Sequence, residues 1–318
     1  DDKYVFQYKD ATKIKVNSLN EIVQNIEFEN IKIKDFIEND FKFLNNSISA
    51  VISNVEENSI RLEKLNLLPL VGVKTGYNDG FLVSNTKFSK DYIFGRDIKR
   101  YSPLVSDTRI FFPYNFEHDK YELIEDNTIE LKELSQRNKL ENRAIIKEGI
   151  INGSKKWFEF QQINKKLNFD NEFIIYPNVS LGSNFTLSRG NIIDMTGFII
   201  PSNSKYLLCI LNSKLIVFLM ELYAISRRGG YLEYKTQYIS KLPIKDISET
   251  AQQPFILKAE QMLTLNKDLQ ESSSKFQRTL QRKFELDSLP KKLENWYELT
   301  FAEFVKELAK KKVKLSLS

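Results

Sequence analysis

Four short segments concentrate side chains that can bond a polyanion or the edge of a planar heterocycle. Lys74-Thr75-Gly76-Tyr77-Asn78-Asp79-Gly80 sets a cation, a hydroxyl, an aromatic ring and an amide in one loop with two glycines. Gly95-Arg96-Asp97-Ile98-Lys99-Arg100-Tyr101 brings three cations and a tyrosine into one turn. Trp157-Phe158-Glu159-Phe160-Gln161 pairs aromatic rings with an amide, and Arg227-Arg228-Gly229-Gly230-Tyr231 is a third basic loop. Arginine and lysine bond phosphate oxygens or guanine O6 and N7, asparagine and glutamine match adenine, and glycine admits a close backbone approach. A single loop of this kind is more often a solvated turn, because the same residues serve turns. Side-chain chemistry by itself therefore leaves the function open.

Other chemistries find little support. The one histidine, His118, lies in the charged run Glu117-His118-Asp119-Lys120 and reads as solvent-facing. The one cysteine, Cys209, lies in an apolar run and reads as a core thiol. One His and one distant Cys make neither a zinc set nor a nucleophilic triad. Lone cysteine usage also excludes an internal disulfide and fits a reducing cytoplasm, where the Asn178-Val-Ser180 and Asn184-Phe-Thr186 sequons carry no meaning. Glu233-Tyr234-Lys235 has the Glu-x-Lys form of metal-dependent nucleases, with Asp194 the candidate second carboxylate, but that tripeptide is common by chance. No phosphate-cradling loop of Walker or Rossmann form occurs.

The elements that must hold the four loops follow from patterning. With 47 Lys+Arg against 42 Asp+Glu, the charge of +5 permits a basic face without demanding one. Residues 1–68 form a lead-in in which Ile48, Val51, Ile52 and Val55 keep helical spacing. Its opening, Asp1-Asp2-Lys3, is charged, has no apolar leader behind it, and reads as an internal point of a longer protein. Residues 69–246 hold short β-type runs such as Phe173-Ile-Ile-Tyr176 and Phe198-Ile-Ile200, with helical pattern at Thr128–Arg143 and Ser204–Tyr223. Strands and helices without strict alternation predict an α+β fold. The apolar stretch Tyr206–Ile225 is interrupted by Asn212, Ser213, Lys214 and Glu221 and reads as one buried core helix, Leu215 included, rather than a membrane span. Residues 247–318 read as a helical C-terminal region. A seam from Phe255 through Ala259, Met262, Asn266, Leu269, Ser273, Phe276 and Leu280 to Phe284 predicts a long packed helix, with Pro254 in its first turn. Thr300-Phe-Ala-Glu303 predicts a capping box for a second helix, whose apolar face is Phe301, Phe304, Val305 and Leu308 and whose end is Lys310–Lys312.

In succession, these strings resemble the TaqI-like C-terminal specificity domain of restriction–modification enzymes, especially the fused type IIG proteins. The strings are Gly72-Val-Lys-Thr-Gly-Tyr-Asn-Asp-Gly-Phe-Leu-Val83, Gly95–Tyr101, Trp157–Gln161, Phe173-Ile-Ile-Tyr-Pro-Asn178, Leu207–Lys214 and Gly229-Gly-Tyr-Leu-Glu-Tyr-Lys235 running to Ile244. Gly80 departs from the family's usual alanine, and Asn295-Trp296-Tyr297 through Leu308 resembles the helical tail of the fused enzymes. The resemblance implies a reader of double-stranded DNA that holds the duplex while a base is flipped. It also implies an N-terminal methyltransferase domain in the same parent chain, which uses S-adenosylmethionine, with magnesium a further candidate there, to methylate adenine. This chain itself lacks the Asn/Asp/Ser-Pro-Pro-Tyr/Phe motif of that chemistry; the nearest string, Tyr176-Pro-Asn-Val-Ser180, has the wrong order. It is therefore expected to hold no cofactor and no catalytic residue, and to have no membrane partner.

Two other classes remain open at this level: a type I specificity subunit, which normally carries two recognition domains per chain, and a scaffold that binds protein through the helical seam. Under the specificity-domain reading, all four loops are expected on one basic cleft. Lys74, Lys99, Arg227 and Arg228 would grip phosphates, and Arg96, Asn78 and Gln161 would meet base edges, with Arg96 alternatively tied to Asp97. Thr75, Tyr77, Arg100, Tyr101 and Trp157 share those loops, Tyr231 closes the last of them, and the resemblance adds Asn178 and Lys235.

Overall fold

The computed structural model describes residues 5–8, 29–32, 46–311 and 313, apart from 85, 126, 128–130, 132 and 133. Two compact units emerge, one from residues 1–60 with 243–246, the other from 61–242 with 247–318. In the first, β1 (Val5–Tyr8) and β2 (Glu29–Lys32) pair antiparallel, with Val5 opposite Lys32. The predicted lead-in helix is present as α1 (Asn46–Glu56); of its apolar repeat Ile52 is buried and Val51 exposed. Strand β3 (Ser59–Arg61) pairs with the returning segment Pro243–Lys245.

The second unit mixes helices and small sheets, so the α+β expectation holds. Its strands run β4 (Leu70–Val71), β5 (Ser89–Ile93), β6 (Arg109–Phe111), β7 (Tyr114–Glu117) and β8 (Lys120–Leu123) before the short helices α2 (Arg137–Glu141) and α3 (Ala144–Ile151). Then come β9 (Glu172–Pro177), β10 (Val179–Ser180), β11 (Thr186–Arg189), β12 (Ile192–Ile193) and β13 (Gly197–Ile200). Helices α4 (Lys205–Leu211) and α5 (Lys214–Tyr223), strand β14 (Leu232–Glu233) and helix α6 (Thr236–Ile239) lead to the returning strand β15 (Pro243–Lys245). Helices α7 (Glu249–Lys283), α8 (Lys291–Glu294) and α9 (Phe301–Ala309) complete the chain.

Two sheets carry the core. One is antiparallel in the order β11-β9-β13-β4, and the other sets β12 parallel to β5, which pairs antiparallel with β6. A parallel bridge between Val73 and Asp194 joins the ends of β4 and β12. Burial on both faces explains why β9 and β13 read as continuous apolar runs rather than alternating ones. The hairpin β7–β8 turns on His118 and Asp119, both at positive φ (51° and 59°), which suits the twist of paired strands and leaves His118 in solvent as expected. Phe112, Tyr114, Tyr121, Phe160 and Phe169 form an aromatic cluster with it, Phe112 edge-on to Tyr121 and Phe169, and Tyr121 stacked on Phe169. The hydroxyls of Tyr114 and Tyr121 there accept the backbone N–H groups of Phe160 (2.8 Å) and Phe169 (3.0 Å).

Four expectations are corrected. Helical pattern at Thr128–Arg143 resolves instead into α2 and α3, with Arg143 extended (φ −64°, ψ 132°) between them; residues 128–130, 132 and 133 lie outside the described set. Ser204–Tyr223 is two helices bent by 59°, because Ser213 caps α5 through the Ile216 N–H (3.3 Å) while the Asn212 amide leaves the helix to bond Phe185. The bend turns Leu215 outward, 37% exposed, and buries Leu207, Leu208, Leu211, Ile216, Leu219 and Met220. Among the described residues no single helix is long and apolar enough to cross a membrane; only this bent pair passes by composition. Cys209, expected in the core, is half-buried. Finally, α7 starts at the Ser248 cap, whose hydroxyl accepts the Ala251 N–H (3.3 Å), so Pro254 falls in the second turn and leaves the Thr250 carbonyl without its helical donor.

Helix α7 packs at its two ends. Tyr206 meets Phe255 edge-on and Lys205 pairs with Glu260 at 2.6 Å; at the far end Phe276 packs at a tilt against Trp296 and Phe304, and Gln277 donates to the Glu294 carbonyl (2.7 Å). Between them the expected seam is only partly covered: Met262 and Leu269 are exposed, while Ser273 is buried. The capping box of α9 forms as predicted, Glu303 accepting the Thr300 N–H (2.9 Å) and Thr300 accepting the Glu303 N–H (3.3 Å). Leu308 is buried but Phe301 is exposed, and Lys310 pairs with Glu307 at 2.6 Å; Lys312 lies outside the described residues.

Candidate nucleic-acid interface

Asp194 organises two of the four loops. It is buried where β12 ends, and its Oδ1 accepts the Thr196 N–H (2.9 Å) and hydroxyl (2.7 Å). Its Oδ2 accepts the Tyr92 hydroxyl (2.6 Å) and the Asn78 amide (3.3 Å). Thr196 Oγ1 accepts in turn the Gly95 N–H (2.8 Å), so one carboxylate fixes both the Asn78 loop and the Arg96 turn. Gly72 and Gly95 are required by this closeness, since a Cβ on either would overlap the carbonyl of Asp194 or Thr196. Burial together with the Asp194 carboxylate pushes the Tyr92 phenol far above its ordinary range, so it remains a donor.

Arg143 performs the same service for another pair. It is buried, and its guanidinium donates to the carbonyls of Leu140 (2.8 Å), Thr75 and Trp157 (2.6 Å) while lying 5.0 Å from the Phe81 ring centroid. Burial lowers its pKa to about 10, so it is still a cation at neutral pH. Backbone pairing of Lys74 with Gln162 in both directions (2.9 Å each) closes this pair of loops, and Gly76 packs against the Gln161 side chain. The sequence pattern places Arg143 merely at the end of a helix, and no local signal marks it as the clamp of these loops.

The Arg96–Tyr101 turn leans on the 180–186 loop. Tyr101 and Arg100 donate their N–H groups to the Phe185 carbonyl (3.0 Å) and Asn184 Oδ1 (3.2 Å), and Thr186 donates to the Ser102 carbonyl (2.8 Å). The buried Asn212 amide locks Phe185 on both sides, at 3.0 and 2.9 Å. Strand β10 of that loop pairs with β14, which carries the Arg227–Tyr231 hairpin, where Gly229 and Gly230 take positive φ (82° and 79°). The four loops are thus joined in two pairs, 74–78 with 157–162 and 95–101 with 227–231 through 180–186. Asp194 and Thr196 connect the first loop of each pair.

Of the expected site residues, Thr75 and Tyr101 are buried, and the half-buried Asn78 amide is engaged by Asp194 and Thr75. The Tyr77 hydroxyl is taken by Gln136 (2.6 Å) and Lys139 (3.1 Å). Arg227 and Lys235 both pair with the buried Glu233 carboxylate, Lys235 at 2.7 Å. Their hydrogen bonds, that of Lys235 foremost, hold Glu233 below the usual carboxylate range. Asn178 is half-buried, its backbone between Thr196 and Tyr234. Lys99, Arg100, Arg228 and Tyr231 are exposed; Lys74, Trp157 and Gln161 are half-buried, with Arg137 over the Trp157 ring at 4.8 Å. Arg96 is 77% exposed, lies over the Phe94 ring at 4.6 Å and approaches Asp97 at 3.7 Å, so it is tethered rather than locked. The Glu-x-Lys nuclease reading loses its ligands, because Glu233 and Asp194 are committed to protein partners, and among the described residues no cluster suits a metal ion.

Polar loops pinned by buried Asp194 and Arg143 on a mixed α+β scaffold, with several cations outward, make up the candidate site. Residues 90–244, just under half of the chain, match the TaqI-like C-terminal specificity domain, and residues 248–318 match a domain of unknown function (DUF8810). The resemblance read from the motifs is borne out over that first segment, which places it with the DNA-recognition domains of restriction–modification enzymes; the string 72–83 lies ahead of it. Among solved structures, the chain is similar to the type IIG restriction endonuclease BpuSI (13% identity, TM-score 0.44, 74% of this chain and 31% of that one). It is also similar to the type IIL restriction-modification enzyme MmeI in complex with DNA (11% identity, TM-score 0.40, 76% and 36%). The chain spans about a third of the length of these proteins. Curated protein sequences give no match.

Proposed function

We propose that this chain reads DNA sequence for a restriction–modification enzyme that methylates adenine, and that methyl transfer from S-adenosylmethionine takes place in an N-terminal domain of the same parent protein. The observation that carries the reading is the match of residues 90–244 to a specificity domain, over a segment whose turns present exposed cations from a buried, hydrogen-bonded frame. Lys74, Lys99, Arg100 and Arg228 grip phosphates in this scheme, while Arg96 and Gln161 meet base edges. Asn78 and Arg227 change role from those expected: their polar groups face Asp194 and Glu233, and they shape the loops. Trp157 and Tyr231 offer ring surface beside the cations, and the flipped adenine leaves the stack toward the catalytic domain.

The test is duplex binding by this chain, with sequence selection from a random pool and titration at several salt concentrations. Binding that weakens as salt rises, with one enriched site, is expected from counterion release combined with base readout. Lys99→Ala should weaken all duplexes alike and lower the salt slope by about one. Gln161→Ala should relax preference at one base pair, worth roughly 1–3 kcal/mol. Methyl incorporation by this chain alone, or selection that enriches no sequence, would overturn the reading.

A further inference from the structure

We propose that the helical segment of unknown function grips the same duplex as the recognition loops, at a phosphate-binding crevice where Lys291 faces Arg96 and Lys99. The proposal rests on the DNA-reading function above and extends it to residues 248–318. A crevice of about 470 Å³ is lined by Arg96, Asp97, Lys99, Ser102, Gln270 and Lys291, so both matched segments build it. Three cations meet there against one carboxylate, Asp97, which Arg96 approaches at 3.7 Å. Lys99 and Lys291 make no ion pair among the described residues, and like charges gathered without a counterion repel one another. The Gln270 amide adds a neutral donor suited to a phosphodiester oxygen.

An adjoining crevice of about 450 Å³ shares Lys99, Ser102 and Gln270 but carries Asp107 and Glu294. The charge along this groove is therefore graded. The strand is expected at the Lys291 end and is turned away from the acidic end. Lys291 becomes a backbone contact that carries no sequence information, whereas Arg96 stands where the phosphate track meets the recognition turn.

The experiment measures affinity of the full chain for a selected duplex and an unrelated one, across a salt series. Lys291→Ala is expected to weaken both by the same factor, about three- to ten-fold at low salt, and to lower the salt slope by about one. Lys291→Glu should weaken them further, and Lys291→Arg should bind as wild type. Lys258→Ala, on an exposed part of α7 that lines neither crevice, should change nothing. An unaltered thermal midpoint keeps folding out of the comparison, since Lys291 is exposed. Wild-type affinity and slope in both Lys291→Ala and Lys291→Glu would overturn the proposal while the DNA-reading function stood. Loss on the selected duplex alone would overturn it too, by making Lys291 a base reader. A wild-type chain that bound an acidic peptide and no duplex would sink both readings together.

Discussion

At the scale of single residues, the site depends on polar groups that never reach solvent. Asp194 accepts four hydrogen bonds from three segments, so Asp194→Ala removes the acceptor shared by the buried Tyr92 hydroxyl, the half-buried Asn78 amide and Thr196. Charged acceptors of this kind contribute more than neutral ones, and the expected cost is roughly 2–4 kcal/mol, read as a lower urea midpoint. Arg143→Lys should cost a similar roughly 2–4 kcal/mol, because a single ammonium cannot reproduce a fork that reaches the carbonyls of Leu140, Thr75 and Trp157 together. A lysine variant with an unchanged midpoint would show that the loops need no such clamp. Sequence pattern marks which residue types have the chemistry to bond DNA. It could not reveal which of them face outward. Asn78 and Arg228 look equally available in a string of letters, yet one amide is absorbed by Asp194 while the other side chain is exposed. That difference arises from long-range pairing between β12 and the loop after β4, which local spacing does not encode.

At the scale of elements, the α4–α5 corner shows what periodicity can and cannot decide. An apolar run from Tyr206 to Tyr223 predicts burial, and burial is found, but one continuous helix is not. Serine at position 213 offers a cap that competes with helix continuation, and Asn212 gains two bonds to Phe185 by leaving the ladder. The bend rotates α5 relative to the helical wheel drawn through the whole run, so Leu215 turns outward while Leu219 stays buried as expected. Leu219→Ala should cost roughly 2–5 kcal/mol as a core truncation, while Leu215→Ala should cost less than about 1 kcal/mol. Ser213→Ala should cost about 1 kcal/mol through the lost cap. Denaturant midpoints of the three variants check the order; an equal loss at both leucines would restore the single-helix picture. Caps with a sequence signature were legible, as the Thr300–Glu303 box shows, because both partners lie within one turn. The start of α7 was misjudged because Pro254 is a stronger local signal than Ser248, although proline is tolerated one turn further in when only one carbonyl is left over.

At the scale of the whole molecule, the core of the recognition unit is unusually rich in phenols. Tyr92, Tyr114 and Tyr176 are pushed well above the ordinary tyrosine range, and Tyr101, Tyr121 and Tyr234 to about 12, in each case chiefly by burial. The sign follows from linkage. An unfolded chain releases these protons near pH 10, whereas the folded chain keeps them to about 12 or beyond, so above pH 10 the folded state binds more protons. The stability from these neutral phenols is complete below about pH 10 and drains away as pH rises, by up to about 1.4 kcal/mol per pH unit for each fully buried group. Exposed lysines discharge over the same range, but they do so in both states and largely cancel. The urea midpoint should therefore hold level to about pH 9 and fall steeply beyond 10. Phenolate absorbance should rise in two stages, first the exposed tyrosines with the fold intact, then the buried set together with loss of helical circular dichroism. Tyr176 provides the control, because its hydroxyl is buried with no hydrogen-bond partner among the described residues. Tyr176→Phe should be neutral or stabilising by about 1 kcal/mol near neutral pH, since an unsatisfied buried hydroxyl is removed, and its alkaline fall should be shallower than that of wild type. Titration of all 14 tyrosines in one step near pH 10, with the circular dichroism unchanged, would mean that water reaches these rings in the folded protein.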